Sequence, residues 1–264
     1  MTKNSSQNVS DKPRKLALGI DVGGSGIKGA VVDLETGEFA TERVRIETPK
    51  PATPDAVAAT IRKVADELGW EGPIGITLPG VVQNNRLRSA GNIDQAWLGL
   101  DLDELFARHL DGRQVAILND ADAAGLAEVA YGEDLAKKGA VLFLTLGTGI
   151  GSAFLLDGKL FPNTELGHML VGDMKAEHQA SSAVREREGL SFKKWAKRLN
   201  VVLNEYSNLF NPDVFIVGGG VSRKFDKWGP LLETTTPVLP AKLKNRAGIV
   251  GAAMAITDRI ERQS

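Results

Sequence analysis

One arrangement of apolar runs and glycine turns occurs twice along this chain. Leu16 to Gly23 and Ile27 to Leu34 are apolar runs on either side of Gly24-Ser25-Gly26, and Phe39 to Ile46 is a third. Runs of this length punctuated by Gly, Ser and Asp predict strands joined by tight turns, an antiparallel meander. In the second half, Val141 to Leu146 and Ser152 to Leu156 flank Gly147-Thr148-Gly149-Ile150-Gly151. Gly24 to Ala30 aligns with Gly147 to Ala153 without a gap, and each segment lies between the first two strands of its half. A repeat placed this way reads as a duplicated unit, not as two chance turns.

Helical patterns come after each meander. Thr53 is a suitable N-cap with Pro54 at the first helical position, and Val57, Ile61, Val64 and Leu68 keep helical spacing up to Gly69. Pro73 to Pro79 reads as a buried strand, Leu102 to Leu110 as a helix, and Gln114 to Leu118 as a strand running into Asn119-Asp120. Strands succeeded by alternating helices and strands predict an α/β layer structure. Beyond the second glycine turn, a helix from Ser191 carries Phe192, Trp195, Leu199, Val202 and Tyr206 on one stripe and stops at Asn211-Pro212. That stripe is core. Phe215 to Val217 is a buried strand opening onto Gly218-Gly219-Gly220, and Ala247 to Ile260 reads as a helix.

Charge and cysteine usage remove whole classes of function. Lys and Arg number 32 against 33 Asp and Glu, so no global field draws the molecule to nucleic acid or to a membrane. An anionic partner has to be held by local groups. With no cysteine among the 264 residues, disulfides, thiolate zinc sites, iron–sulfur clusters and cysteine nucleophiles are all excluded. Met1 to Lys15 is polar, residues 1–13 read as a frayed tail, and no run has the length of a membrane span, so a cytoplasmic location is expected.

Gly24-x-Gly26-x-x-Gly29 matches the dinucleotide fingerprint in letters, but a strand and not a helix comes after it. No Gly-x-x-x-x-Gly-Lys-Ser/Thr occurs either. Two readings remain: hairpin turns whose backbone N–H groups and hydroxyls can face one anion, or turns that use glycine for conformation alone. Asn119-Asp120 ends a strand, where open α/β sheets place ligands. Asp120 there is either a base that accepts a hydroxyl proton or the cap of the next helix. Asp122 is expected to face the first turn of that helix. Glu165 and His168 stand three apart after the turn at Pro162-Asn163, and carboxylate with imidazole suits a polyol, whose hydroxyls both donate and accept. His109 and His178 are read as structural.

Asp21-Val22-Gly23-Gly24-Ser25-Gly26-Ile27-Lys28, Leu144-Thr145-Leu146-Gly147-Thr148-Gly149 and Ile216-Val217-Gly218-Gly219-Gly220-Val221-Ser222 resemble the two phosphate motifs and the adenosine motif of the sugar kinase and actin superfamily. Within it, Glu165-Leu166-Gly167-His168 is similar to the signature of ROK-family sugar kinases. The resemblance implies an actin-like ATPase (ribonuclease-H-like) fold: two α/β domains flanking a cleft, residues 14–118 and 119–246, with the helix 247–264 crossing back to the first. It implies Asp120 as general base. Asn92, Asn119, Asp120, Glu165, His168 and Glu177 would bind sugar, with Glu186 and Glu188 as alternatives to Glu177. Asp21, Gly23, Gly24, Ser25, Lys28, Gly147, Thr148, Gly149, Gly219 and Gly220 would surround the donor phosphates. Mg²⁺ would be held mainly by those phosphates, with Asp21 reaching it through water.

The chain departs from the family pattern in lacking the cysteine zinc loop after His168, so no zinc is expected. Gly91-Asn92-Ile93-Asp94 with Trp97, Pro162 to Glu165, and Pro240 to Gly251 look like the zinc-less branch that includes polyphosphate-using glucokinases and glucomannokinases. Glucose, with mannose as a second acceptor, polyphosphate and ATP are the expected partners, and a homodimer the expected assembly. Basic segments that could hold a polyanion are Arg185, Arg187, Lys193, Lys194, Lys197 and Arg198; Arg223, Lys224 and Lys227; and Lys242, Lys244 and Arg246. The alternatives are a strictly ATP-dependent sugar or acylamino-sugar kinase, a sugar-sensing regulator and an actin-like filament protein. A regulator is disfavoured because its N-terminal DNA-binding segment has no room before Leu16, and a filament protein by Glu165 and His168.

Overall fold

Strand β1 (Leu16–Gly23) and strand β2 (Gly26–Asp33) form the first hairpin, register-paired from Leu16↔Asp33 to Gly23↔Gly26. The computed structural model describes residues 15–89 and 94–263, so the expected tail and Asn92 lie outside the described residues. The third expected strand is in fact two, β3 (Glu38–Phe39) and β4 (Val44–Ile46), both on β2. The break has a local cause: Thr41 Oγ1 accepts the Val31 N–H at 3.1 Å, taking the place of a ladder carbonyl.

Helix α1 (Pro54–Glu67) starts where Thr53 accepts the Ala56 N–H, and buries Val57, Ile61 and Val64. Then come β5 (Ile74–Leu78), a small hairpin of β6 (Val82–Gln83) and β7 (Arg86–Leu87), α2 (Leu102–His109), β8 (Val115–Asn119) and α3 (Asp120–Tyr131). The second half opens with β9 (Ala140–Leu146), β10 (Ile150–Leu156) and β11 (Lys159–Phe161). It continues through β12 (Leu170–Val171), β13 (Met174–Lys175), α4 (Ala176–Ala180), α5 (Ser182–Arg187) and α6 (Phe192–Phe210). Last are β14 (Val214–Gly218), α7 (Phe225–Trp228), β15 (Val238–Pro240) and α8 (Ala247–Gln263), which runs three residues past the expected Ile260.

The repeat read from the two glycine turns is a repeat of topology. One sheet has the order β3-β2-β1-β5-β8 and the other β11-β10-β9-β14-β15. In each, the first hairpin is antiparallel and the next two strands join it in parallel.

Period-two alternation sets the layers. Leu18, Ile20 and Val22 face α1 and α2, whereas Ala17 faces the core shared with α3 and α8. In the second sheet, Leu142, Leu144, Phe215 and Val217 face α6, and Val141, Phe143, Val214 and Ile216 face the same shared core. Helices α3 and α8 are therefore the middle layer between the two sheets. Glycines make it thin. A Cβ at Gly19 would stand 1.9 Å from the Ile249 carbonyl oxygen, and one at Gly75 1.8 Å from that of Ala252, so α8 lies directly on sheet backbone. A Cβ at Gly251 would stand 1.8 Å from the Ala123 carbonyl oxygen, where α8 touches α3.

Candidate active site

Residues following β5, the end of β8 and the tip of the second glycine hairpin line one cleft, and Asp21 of β1 with Lys28 of β2 lines the chamber beside it. The first hairpin closes at Gly23↔Gly26 and the second at Leu146↔Ile150, so their tips are Gly24-Ser25 and Gly147-Thr148-Gly149. The gapless sequence match thus hides a one-residue difference in loop length. Neither Gly24 nor Gly147 has a positive φ, and neither has any atom within 4 Å of where a Cβ would stand. Conformation and crowding therefore do not require glycine at these two positions, and the reading of them as mere turn residues loses its support. Asp21 faces Lys28 across the first hairpin, with Lys28 Nζ 3.5 Å from Asp21 Oδ2, and Thr77 Oγ1 donates to Asp21 Oδ1 at 3.0 Å.

Asn119, not Asp120, caps α3: its Oδ1 accepts the N–H groups of Ala121 (2.8 Å) and Asp122 (3.1 Å) while its Nδ2 donates to the Gly80 carbonyl. Asp120 also accepts from Ala121 N, but its carboxylate remains open to the cleft. Crowding by protein on its other sides raises the Asp120 pKa to about 6, and the negative charges of Asp21 and Glu165 add to the rise. A carboxylate in this range is ionised at neutral pH yet basic enough to take a proton from a hydroxyl.

Glu165, His168 and Glu177 converge on the opposite wall. His168 Nε2 lies 3.4 Å from Glu177 Oε1, and its Nδ1 4.0 Å from Glu165 Oε2. Burial raises the Glu165 pKa, with the His168 ring opposing the shift. Gly149 makes room for Glu177, because a Cβ there would stand 2.4 Å from its Oε2. Tyr206 fixes the turn beneath, donating to the Leu166 carbonyl at 2.6 Å. Of the alternatives to Glu177, Glu188 is tied to Arg198 at 2.7 Å, and Glu186 lies in a neighbouring recess beside Arg185. A cleft of about 670 Å³ is lined by Asn119, Asp120, Thr148, Glu165, His168 and Glu177. It adjoins, at Asp120 and Thr145, a chamber of about 240 Å³ holding Asp21, Lys28 and Gly218 to Gly220. Gly219 takes φ +86° there, a left-handed backbone suited to glycine. His109 is structural, 2.8 Å from Asp55, whereas His178 lines the cleft rim.

Asp122 does not face the first turn of its helix. It is 1% exposed, and its Oδ2 accepts the Asn163 N–H at 2.8 Å. Desolvation raises its pKa to about 7. Asn163, at φ +62°, then clamps the backbone of Val82: its Oδ1 accepts the Val82 N–H and its Nδ2 donates to the Val82 carbonyl, both at 2.9 Å. The loop that carries Glu165 is thereby fastened to the separate β6–β7 hairpin of the first half. Sequence reading missed this function of Asn163, although the turn signal Pro162-Asn163 was visible.

A family model described as the ROK family matches residues 17–183. The chain belongs to the ROK family. It is 55% identical to a polyphosphate glucokinase of Mycobacterium tuberculosis over 238 residues, covering 90% of each chain. It resembles the crystal structure of an inorganic polyphosphate/ATP-glucomannokinase from an Arthrobacter strain, with TM-score 0.86, 48% identity and coverage of 92% and 99%. It also resembles a ROK-family glucokinase of Streptomyces griseus in complex with glucose and AMPPNP, with TM-score 0.77, 25% identity and coverage of 92% and 99%. With these relatives, the two repeated sheets are those of an actin-like sugar kinase. No helix among the described residues is long and apolar enough to cross a membrane.

Proposed function

We propose that this ROK-family protein is a glucokinase that transfers the terminal phosphoryl group of inorganic polyphosphate, and of ATP, to the 6-hydroxyl of glucose, with mannose as a second acceptor. The observation that carries the proposal is that Asp120 lines both the cleft of Glu165, His168, Glu177 and the Gly147-Thr148-Gly149 turn and the chamber that holds Asp21 and Lys28. Identity of 55% to a polyphosphate glucokinase supports the choice of donor and acceptor. In this reading Asp120 accepts the 6-hydroxyl proton as that oxygen attacks the terminal phosphorus, and the bond to the bridging oxygen breaks. Asn92, Asn119, Glu165, His168 and Glu177 orient the sugar. Asp21, Gly23 to Ser25, Lys28, Gly147 to Gly149, Gly219 and Gly220 surround the donor.

At the chamber, Asp21 and Asp120 offer carboxylate oxygens, and no cluster of three or more His, Asp or Glu side chains among the described residues could hold a metal ion. That suits Mg²⁺, which binds through one or two carboxylates plus substrate phosphates and water. When bound, it neutralises charge developing on the transferred phosphoryl group. The same reading places residues 14–118 and 119–246 in separate domains, takes the protein as a cytoplasmic homodimer, and expects no zinc.

Glucose phosphorylation assayed in parallel with polyphosphate, ATP and no donor tests the proposal. Turnover with both donors is expected; turnover with ATP alone favours the strictly ATP-dependent reading. Because Asp120 must be ionised to act, kcat/KM is expected to fall as pH drops through about 6. Asp21→Asn removes a neighbouring negative charge and should move this limb to lower pH. An acid limb unmoved by that change would detach the profile from Asp120.

Asn163→Gly keeps the left-handed backbone accessible but deletes both bonds to Val82. Two hydrogen bonds of about 1 kcal/mol each predict a rise of up to roughly thirtyfold in KM for glucose with kcat nearly preserved. A loss of melting temperature without a change in KM would reduce the clamp to a structural tie.

A further inference from the structure

The chamber beside Asp120 is not closed at its far side. Past Gly218 to Gly220 it opens, at Ser222, Arg223, Ala241, Lys244 and Asn245, into a groove of about 950 Å³ between the 222–226 and 240–246 segments. Arg223, Lys242, Lys244 and Arg246 line this groove, with Asp226 the only acidic residue among its lining. Resting on the proposed donor reading, we infer that this groove is the binding site for the distal phosphates of a polyphosphate chain, entered past Arg223 and Lys244.

Four observations select this groove over the other basic segments. First, it is continuous with the chamber that holds Asp21, Lys28 and Asp120, so a chain whose end lies at the base has a path into it. Lys193, Lys194 and Lys197 lie exposed on α6 and line neither the cleft nor the groove. Arg185 and Lys224 line a recess that borders the chamber only at Gly220 and the cleft at Gly147-Thr148, and Glu186 offsets them there.

Second, the cations nearest the chamber are not committed elsewhere. The Lys244 ammonium has no ion-pair partner among the described residues, and Arg223 donates to a neutral acceptor, Asn245 Oδ1, at 2.9 Å. Farther out, Lys242 is paired with Glu133 and Arg246 with Glu38, which leaves the inner pair as the stronger attraction.

Third, Lys244 is held in a conformation that lysine rarely adopts, φ +55°. Strain of this kind persists only where the surroundings impose it.

The fourth observation supplies what imposes it. Glu128, on α3 and 1% exposed, accepts the N–H groups of Lys242 at 2.8 Å and Leu243 at 2.7 Å. Burial raises its pKa, and these N–H groups together with that of Lys244 pull it back. A buried carboxylate thus gathers successive amides of the 242–244 segment and turns the lysine outward over the junction. Glu128 is a positioning residue for the groove. It acts on the groove from the same helix that begins with Asp120.

The test uses the full chain, with long polyphosphate, a short oligophosphate and ATP as donors and glucose held saturating. The double variant Arg223→Gln with Lys244→Asn removes the two inner charges, and asparagine tolerates the left-handed backbone. KM for long polyphosphate should rise roughly tenfold, as expected for two partly exposed charge contacts, and the advantage of long over short chains should disappear. Its salt dependence should flatten as well, because fewer counterions exchange. KM for ATP should change by no more than about twofold on the same argument. Lys193→Gln with Lys194→Gln and Lys197→Gln should leave all donors alike. Glu128→Gln, which keeps the shape but weakens the amide cradle, should reproduce the donor-selective loss in milder form.

Equal losses for ATP and polyphosphate would make the groove a general donor site and overturn the inference, as would selectivity appearing in the α6 triple variant. No change with any donor overturns it too. Absence of polyphosphate turnover in the unmodified protein is a different failure, since it removes the donor reading on which the groove depends.

Discussion

Asp120→Asn is expected to lower kcat by about 10²-fold to 10⁴-fold, the usual worth of a positioned general base. The substitution is nearly isosteric, and Asn119 holds the cap of α3 without help from Asp120, so the fold has no reason to change. KM for glucose should stay close to its original value, because the amide retains one acceptor and the sugar wall is untouched. Asp122→Asn is the paired control. Its side chain is buried, bonded to the Asn163 N–H and outside the lining of the cleft, so activity should change far less. Kinetics of the two variants at pH 8, where both native carboxylates are mainly ionised, decide the matter. Comparable losses in the pair, or near-native turnover for Asp120→Asn, would move the base elsewhere.

The second large effect is on stability. Gly251→Ala should destabilise the protein by about 3 kcal/mol or more, the upper range for overpacking a filled interior. In an exposed helix the same change is favourable by up to about 1 kcal/mol. Here the new methyl group would stand 1.8 Å from a carbonyl oxygen and 2.4 Å from a carbonyl carbon of Ala123, all backbone, so no rotamer change relieves the clash. The helices α3 and α8 must separate instead. At roughly 2–4 °C per kcal/mol for a chain of this size, the melting temperature should drop by about 10 °C. Gly75→Ala should behave alike, since it meets the Ala252 backbone at the neighbouring seam. Asp258→Ala, on an exposed position of α8, should stay within about 0.5 kcal/mol. A melting temperature equal to or above the original in Gly251→Ala would show that the seam is looser than its distances imply.

How much could be read from the sequence depended on whether a feature is local. The Thr53 and Ser191 caps and the stripe from Trp195 to Tyr206 are set by residues within a turn or two of each other, and they occur as read. Strands of two or three residues, such as β6, β7, β12 and β13, have too few positions for a period to show. Of the site, Asp120, Glu165, His168 and Glu177 were legible through motif letters, and the structure brings them to one cleft. Asp122, Glu128 and Asn163 were not, because their partners lie 41, 114, 115 and 81 positions away. Nothing in Glu128's own neighbourhood announces that it will collect amides from the 242–244 segment.

The position of α8 also bears on the way the protein is made. The strand it covers, β1, begins at Leu16, but the helix itself begins at Ala247. At roughly 5–20 residues per second, a ribosome needs on the order of tens of seconds to pass from one to the other. Throughout that interval the glycine-floored face of the first sheet lacks the cover of α8, and the inner face of the second, once made, is backed by α3 alone. The nascent chain must therefore wait, with apolar surface open to chaperones or to other nascent chains, for a segment that completes both halves at once. Expression yield should respond more sharply to substitutions in α8 than to equally conservative ones in α1, even where the finished proteins are equally stable.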